Sequence, residues 1–156
     1  MRFVTAGPDD ALAQPLLSEL AVEYAQRYDN TQQAVLGWLQ SYPAAEFTPP
    51  HGDLLVGVID GTPVTGGAFR RFDDRTAELK RIWTDRAHRR CGYARALLVQ
   101  LEARIASRGY RRVYLTTGNR QPEAEALYEA SGYTRLPKPL PSTQPVFPIA
   151  FVKDLP

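Results

Sequence analysis

A chain of 156 residues falls in the size range of one domain, and 44% hydrophobic with 23% charged residues is ordinary globular composition, which excludes a disordered or fibrous protein. The formal charge is only +2, and the arginines concentrate between Lys80 and Arg112, a distribution that suits a local anionic ligand and predicts no nucleic-acid partner. A single cysteine excludes an internal disulfide and any multi-cysteine metal site, and with no apolar leader and no apolar run longer than Leu54 to Ile59, the expectation is a cytoplasmic protein without a membrane partner.

In chain order, Arg2 to Thr5 reads as a short edge strand, and Pro8-Asp9-Asp10 as a helix start. Leu12, Leu16, Leu17, Leu20 and Tyr24 then fall on one helical face, a core stripe by default. A second, shorter helix is expected after Asn30-Thr31, carrying Val35, Leu36, Trp38 and Leu39 until Ser41-Tyr42-Pro43 ends it, followed by a loop from Ala44 to Gly52. From Asp53 the period changes to two. Leu54 to Ile59, Val64 to Phe72 and Thr76 to Thr84 read as an antiparallel meander, with turns at Asp60-Gly61-Thr62-Pro63 and Asp73-Asp74-Arg75. Gly66-Gly67 marks a bulge or a close backbone approach.

Ala94, Leu97, Leu98, Leu101 and Ile105 form the apolar face of a helix that runs from Gly92 to about Ser107 and ends at Gly109. A strand from Arg112 to Thr116 completes a strand, helix, strand unit. A further helix spans Pro122 to Ser131 and stops at Gly132. Tyr133 to Leu136 and Val146 to Val152 finish the sheet, separated by a loop carrying Pro137, Pro139, Pro141 and Pro145. Pro148 predicts that the last run is irregular or at an edge. With no repeat, low-complexity tract or linker, residues 1–156 read as one α/β (α+β) domain: a single mixed sheet with helices packed on it.

The segment richest in chemistry is Arg89-Arg90-Cys91-Gly92-Tyr93-Ala94, which joins the strand ending at Thr84 to the helix. The first amides of a helix lack intrahelical acceptors and the helix dipole places partial positive charge there, so a basic, glycine-containing turn of this kind suits a diphosphate. The same residues also fit a plain solvated turn. No GxxxxGK[ST] loop is present, which argues against a nucleoside triphosphate enzyme.

Arg89, Gly92 and Ala94 match the pattern Arg or Gln, two residues, Gly, one residue, Gly or Ala, with Ala77-Glu78-Leu79-Lys80-Arg81-Ile82 before it and Gln121 to Tyr133 after it. In these segments, from about Asp53 to Tyr133, the sequence resembles the GNAT superfamily of N-acetyltransferases. The resemblance implies the GNAT acyl-CoA N-acyltransferase fold, a single mixed and mainly antiparallel sheet flanked by helices and splayed beside Glu78 to Thr84. It implies acetyl-coenzyme A as acetyl donor, no metal, and a small-molecule or peptide amine as acceptor. A non-catalytic coenzyme A-binding sensor or scaffold is the alternative, and oligomeric state, with a homodimer among the options, stays open.

The resemblance also implies roles for individual residues. The diphosphate would rest on the amides of Cys91, Gly92, Tyr93 and Ala94, with Arg89 and Arg90 adding charge; Arg86 and Arg95 are either further phosphate ligands or merely solvated. The pantetheine arm would pair with the main chain of Ile82, Trp83 and Thr84 like an added strand, and Asn119 or Gln121 would meet it farther on. Tyr128 aligns with the tyrosine that protonates the departing thiolate, or else is simply a buried tyrosine. Glu78 is the candidate general base, acting directly or through water, or else half of an ion pair with Lys80 or Arg81. Strict alternation along the strand would put Glu78, Lys80, Ile82 and Thr84 on one side and Ala77, Leu79, Arg81 and Trp83 on the other. Tyr24, Tyr28, Trp38, Tyr42 and Phe47 would line the acceptor pocket or pack. His51 and His88 are too isolated for a metal site, and Cys91 lacks a partner that would activate it, so direct transfer in a ternary complex is expected over an acetyl-cysteine intermediate.

Overall fold

The computed structural model describes residues 1–7, 9–27, 44–118, 122–142 and 147–156. The expected second helix, Asn119 and Gln121 lie outside them. Among the described residues seven strands form one sheet in the order β1-β2-β3-β4-β5-β7-β6: β1 Arg2–Thr5, β2 Asp53–Ile59, β3 Thr62–Arg71, β4 Thr76–Thr84, β5 Arg112–Thr117, β6 Thr134–Arg135 and β7 Ile149–Asp154. Every pairing is antiparallel except β4 with β5, which the helix between them makes parallel. The edge position expected for Arg2 to Thr5 holds. The last strand, by contrast, starts just past Pro148 and lies inside the sheet between β5 and β6, so the proline limits its start and not its neighbours.

Three α-helices occur among the described residues: α1 Gln14–Arg27, α2 Tyr93–Ser107 and α3 Pro122–Ala130. A short 3-10 turn, Ala11–Ala13, precedes α1, so the regular helix begins later than Asp9-Asp10 alone suggests. The stripe Leu97, Leu98, Leu101 and Ile105 is buried against Ala77, Leu79, Val113 and Leu115 on one face of the sheet. Leu16, Leu17 and Leu20 of α1 bury Trp83 on the other. Two ionic clasps fix α2 lengthwise. Asp53, only 1% exposed, accepts from Arg104 at 2.6 Å and Arg108 at 2.8 Å. Glu102 accepts from Tyr133 Oη at 2.9 Å and Lys153 Nζ at 2.8 Å.

The bulge signalled by Gly66-Gly67 is present, and it overturns strict alternation along β4. Gly66 pairs with Trp83 but Ala68 pairs with Lys80, so Gly67 faces two residues, Arg81 and Ile82, and Arg81 takes a positive φ of 60°. The extra residue shifts the alternation by one. Ile82 therefore joins Ala77 and Leu79 on the α2 face, directly over Gly67, where a Cβ would stand 2.6 Å from Ile82 Cδ1. Trp83 moves to the α1 face with Arg81, which covers the ring of Phe47.

Candidate active site

β4 and β5 pair only at Thr76 with Arg112, Ala77 with Val113 and Glu78 with Tyr114. Beyond that point β5 follows β7 and β4 follows β3, so the facing main-chain edges of Leu79 to Thr84 and Leu115 to Thr117 separate. A cleft of about 620 Å³ opens there, lined by both edges, by the start of α2 and by one side of α3. The splay expected beside Glu78 to Thr84 thus produces the site.

One end of the cleft is the turn before α2. Asp85 shapes it: its carboxylate accepts from Ala87 N at 3.2 Å and lies 2.6 Å from His88 Nδ1, and that histidine contact is the main reason it is held below the ordinary carboxylate range. Arg90 and Gly92 both take positive φ, 63° and 79°, and Gly92 is the N-cap of α2 with no side-chain cap. Ala96 N makes the first intrahelical bond, to Gly92 O at 3.1 Å, so the amides of Tyr93, Ala94 and Arg95 precede the ladder. Nothing lies within 4 Å of where a Gly92 Cβ would stand. Open amides at a positive helix end, with Arg89, Arg90 and Arg95 lining the same space, fit a diphosphate.

The two arginines expected to add charge differ. Arg89 Nη2 donates to Glu23 of α1 at 2.5 Å and Arg89 Nε to Thr84 O at 3.4 Å, so its guanidinium ties the turn to α1. Arg90 is exposed at the rim. Arg95 reaches Ala130 O at 3.4 Å. Cys91 is exposed and is the one residue of the segment 89–95 that does not line the cleft.

Ile82, Trp83 and Thr84 line the middle of the cleft along the separated edge of β4. The side chains of Ile82 and Trp83 nonetheless pack into the two hydrophobic cores, which leaves their main chain as the part toward the cleft. Trp83 Nε1 donates to Glu19 at 2.6 Å, and burial pushes that carboxyl up.

Tyr128 lines the opposite wall with Ala124 and Leu127, buried, its ring 5.7 Å from those of Tyr133 and Phe151. Glu78 is 2% exposed and does not line the cleft. Its carboxylate accepts from Arg70 at 3.0 Å and stands 3.4 Å from Lys80 Nζ, so the principal ion-pair partner is Arg70 across β3, with Lys80 second. Arg70 also binds Glu46 at 2.9 Å. Of the aromatic candidates, Phe47 lines the cleft; Tyr28, Trp38 and Tyr42 lie outside the described residues.

Lys80, Arg81 and Glu23 line the cleft without having been expected there. Only the Gly66-Gly67 pair hinted at Arg81, by announcing a bulge opposite it. Glu23 gave no signal, because its contact with Arg89 joins residues 66 positions apart. Among the described residues no three His, Cys, Asp or Glu side chains gather as a metal site, and no helix is long and apolar enough to cross a membrane.

Comparison with known proteins bears on the same architecture. A human protein, N-acetyltransferase 8, is 32% identical over 81 residues, 52% of this chain but only 34% of that relative's length. A Klebsiella pneumoniae protein assigned as an acyl-CoA N-acyltransferase superposes with a TM-score of 0.76 at 24% identity, covering 99% of this chain and 97% of its own. A GNAT acetyltransferase from Elizabethkingia anophelis, solved with acetyl-CoA bound, gives 0.67 at 15% identity over 99% and 97%. An aminoglycoside 6'-N-acetyltransferase solved with coenzyme A gives 0.71 at 17% over 100% and 98%. At these identities the structural likenesses establish the fold. The profile of the acetyltransferase (GNAT) family matches residues 15–133, a span that takes in α1 from its second residue, the splayed strands, the uncapped turn and Tyr128. The chain belongs to the GNAT acetyltransferase family.

Proposed function

We propose that this protein is an acetyl-coenzyme A-dependent N-acetyltransferase that moves an acetyl group to a primary amine of a small molecule or peptide by direct attack within a ternary complex. The observation that carries the reading is the single cleft running from the uncapped amides at the start of α2, along the separated edge of β4, to Tyr128. When bound, acetyl-coenzyme A supplies an acetyl group activated as a thioester.

The residues of this chain bind and orient it and manage protons. The amides of Gly92, Tyr93 and Ala94 hold the diphosphate, with Arg90 adding charge at the rim; Cys91, first expected to share in this, stands outside the cleft lining. The main chain of Ile82 to Thr84 pairs with the pantetheine arm, which aims the thioester at the gap between β4 and α3. The Tyr128 hydroxyl delivers a proton to the sulfur as it departs. A phenol near pKa ~10 giving a proton to a thiolate near ~8.5 is mildly uphill, a modest demand on a positioned group. An amine acceptor with pKa near ~10 must shed its proton before attack. Glu78 lies behind the cleft wall, so it takes that proton through water.

The test is release of free thiol from acetyl-coenzyme A in the presence of an amine panel, with acetylated product identified by mass. Amine-dependent release is the expected outcome. Tight coenzyme A binding with no release for any amine would favour a non-catalytic sensor or scaffold.

A further inference from the structure

His88 lines the cleft beside the turn that opens α2, yet it lies just outside the family pattern, which begins at Arg89, and the transfer reading gives it no part. Its ring is held from two sides. Nδ1 stands 2.6 Å from Asp85 Oδ2, and the ring centroid lies 6.2 Å from that of Tyr93, whose amide is among those that precede the α2 ladder. The same Asp85 oxygen accepts from Ala87 N, so the carboxylate is itself fixed. Its neighbour Glu19 of α1 accepts from Trp83 Nε1. Burial first and then Asp85 push the Glu19 carboxyl up, while the His88 contact holds Asp85 low, so Asp85 is the anion of the two. A carboxylate only accepts, so Nδ1 carries the hydrogen and Nε2 is the ring nitrogen left for a ligand. Among the described residues no side chain other than Asp85 makes a hydrogen bond to this ring, and the side chain is 37% exposed where it borders the cleft.

The charged groups around the ring are Arg86, Arg89 and Arg90 of the same segment, with Glu23 of α1 bonded by Arg89; Tyr93 is what α2 presents, and Glu123 lines the cleft from α3. With hydrogen on Nδ1 a neutral imidazole offers a lone pair at Nε2, which an anion avoids, whereas a second proton turns Nε2 into a charged donor. Histidine is the side chain whose charge changes between about pH 5 and 8, and an anion at Nε2 favours the charged ring. The open amides of the turn adjoin this ring, so the anion brought to it is the diphosphate they hold. Building on the donor binding proposed above, we infer that His88 Nε2 is a further ligand of the coenzyme A diphosphate, engaged together with one proton, so that the donor binds more tightly as pH falls. Asp85 is the positioning residue: it fixes the ring and decides which nitrogen gains the proton.

Dephospho-coenzyme A is the probe, because its diphosphate keeps a constant charge in this range, whereas the 3′-phosphate of coenzyme A gains charge near pH ~6 and would oppose the trend. Titration calorimetry at several pH values, each in two buffers of different ionisation enthalpy, gives the affinity and counts the protons bound with the ligand. Native protein is expected to take up protons on binding and to lose about tenfold in affinity between about pH 6 and 8, the effect of one charge-assisted hydrogen bond. His88→Gln should bind about tenfold more weakly than native protein at the lower pH, with little further change and no uptake. His51→Gln, which alters the other histidine of the chain, should keep the native uptake, and it carries the test if His88→Gln does not fold. No uptake by native protein, undiminished uptake in His88→Gln, or uptake lost in His51→Gln overturns the role of His88 and leaves the donor reading standing. Failure of both coenzyme A and the probe to bind at any pH overturns the donor reading itself, and the role of His88 with it.

Discussion

Alanine at position 92 would pit two costs against each other, one of folding and one of binding. Gly92 sits at φ 79°, where a β-carbon costs about 1–2 kcal/mol, partly offset by about 0.4–1 kcal/mol from a less flexible unfolded chain. With nothing within 4 Å of the new Cβ no clash is added, so the net loss is about 1 kcal/mol, or ~2–4 °C in Tm for a chain of this size. Gly61, in the two-residue turn between β2 and β3, has the same φ of 79° and the same open surroundings, yet does not line the cleft. Gly61→Ala is therefore a matched control for strain. If the diphosphate lies on the amides around position 92, only Gly92→Ala pushes it away, and losing one charge-assisted bond weakens coenzyme A binding by about tenfold to hundredfold. Thermal unfolding without ligand measures the first cost, and calorimetric titration with coenzyme A the second. Equal coenzyme A affinity in the two variants would refute the assignment of the turn.

Tyr128→Phe should lower kcat by about 10²–10⁴-fold while coenzyme A affinity stays put; steady-state kinetics with unchanged kcat would remove Tyr128 from proton transfer. Asp53→Ala leaves Arg104 and Arg108 facing a buried site without their shared carboxylate. Both arginines are partly exposed, so a loss of about 3 kcal/mol is expected, at the low end for a broken buried pair, and denaturant unfolding showing less than about 1 kcal/mol would contradict it. The Tyr133 hydroxyl is pushed well above the ordinary phenol range, first by burial and then by the neighbouring Glu102 carboxylate. Its folded form keeps a proton that the unfolded chain loses near pH ~10, so its contribution is complete below that pH and falls as pH rises beyond it. Alkaline unfolding curves should be less steep for Tyr133→Phe; curves of identical slope would show that the hydroxyl is not the titrating group.

The elements were legible where local pattern suffices. The period-two runs of β2 to β4, the apolar stripe of α2 and the glycines that end it needed no tertiary information, because each repeats within a few residues. The uncapped turn was legible for the same reason, since Gly92 and the arginines are neighbours in the chain. Less was legible where a residue's surroundings come from far away. Glu78 reads as a base in direct reach of an acceptor until it is seen buried on Arg70 and Lys80, outside the cleft lining, and Arg89 reads as a loose cation at the turn until Glu23 is seen 2.5 Å from it.

What the chain order alone determined is the succession of strands and helices, the uncapped glycine turn and the placement of a tyrosine on the last helix, since these follow from hydrophobic period and backbone preference over short windows. What only the tertiary structure decided is which side each residue of β4 presents and what meets it there. One extra residue at Arg81, opposite Gly67, moves Ile82 to the α2 core and turns Arg81 toward Phe47. The separation of β4 from β5 then opens the cleft. The Gly66-Gly67 pair announces the irregularity from β3 alone, but which residue of β4 is the extra one is fixed by register across the sheet and cannot be read from β4 by itself.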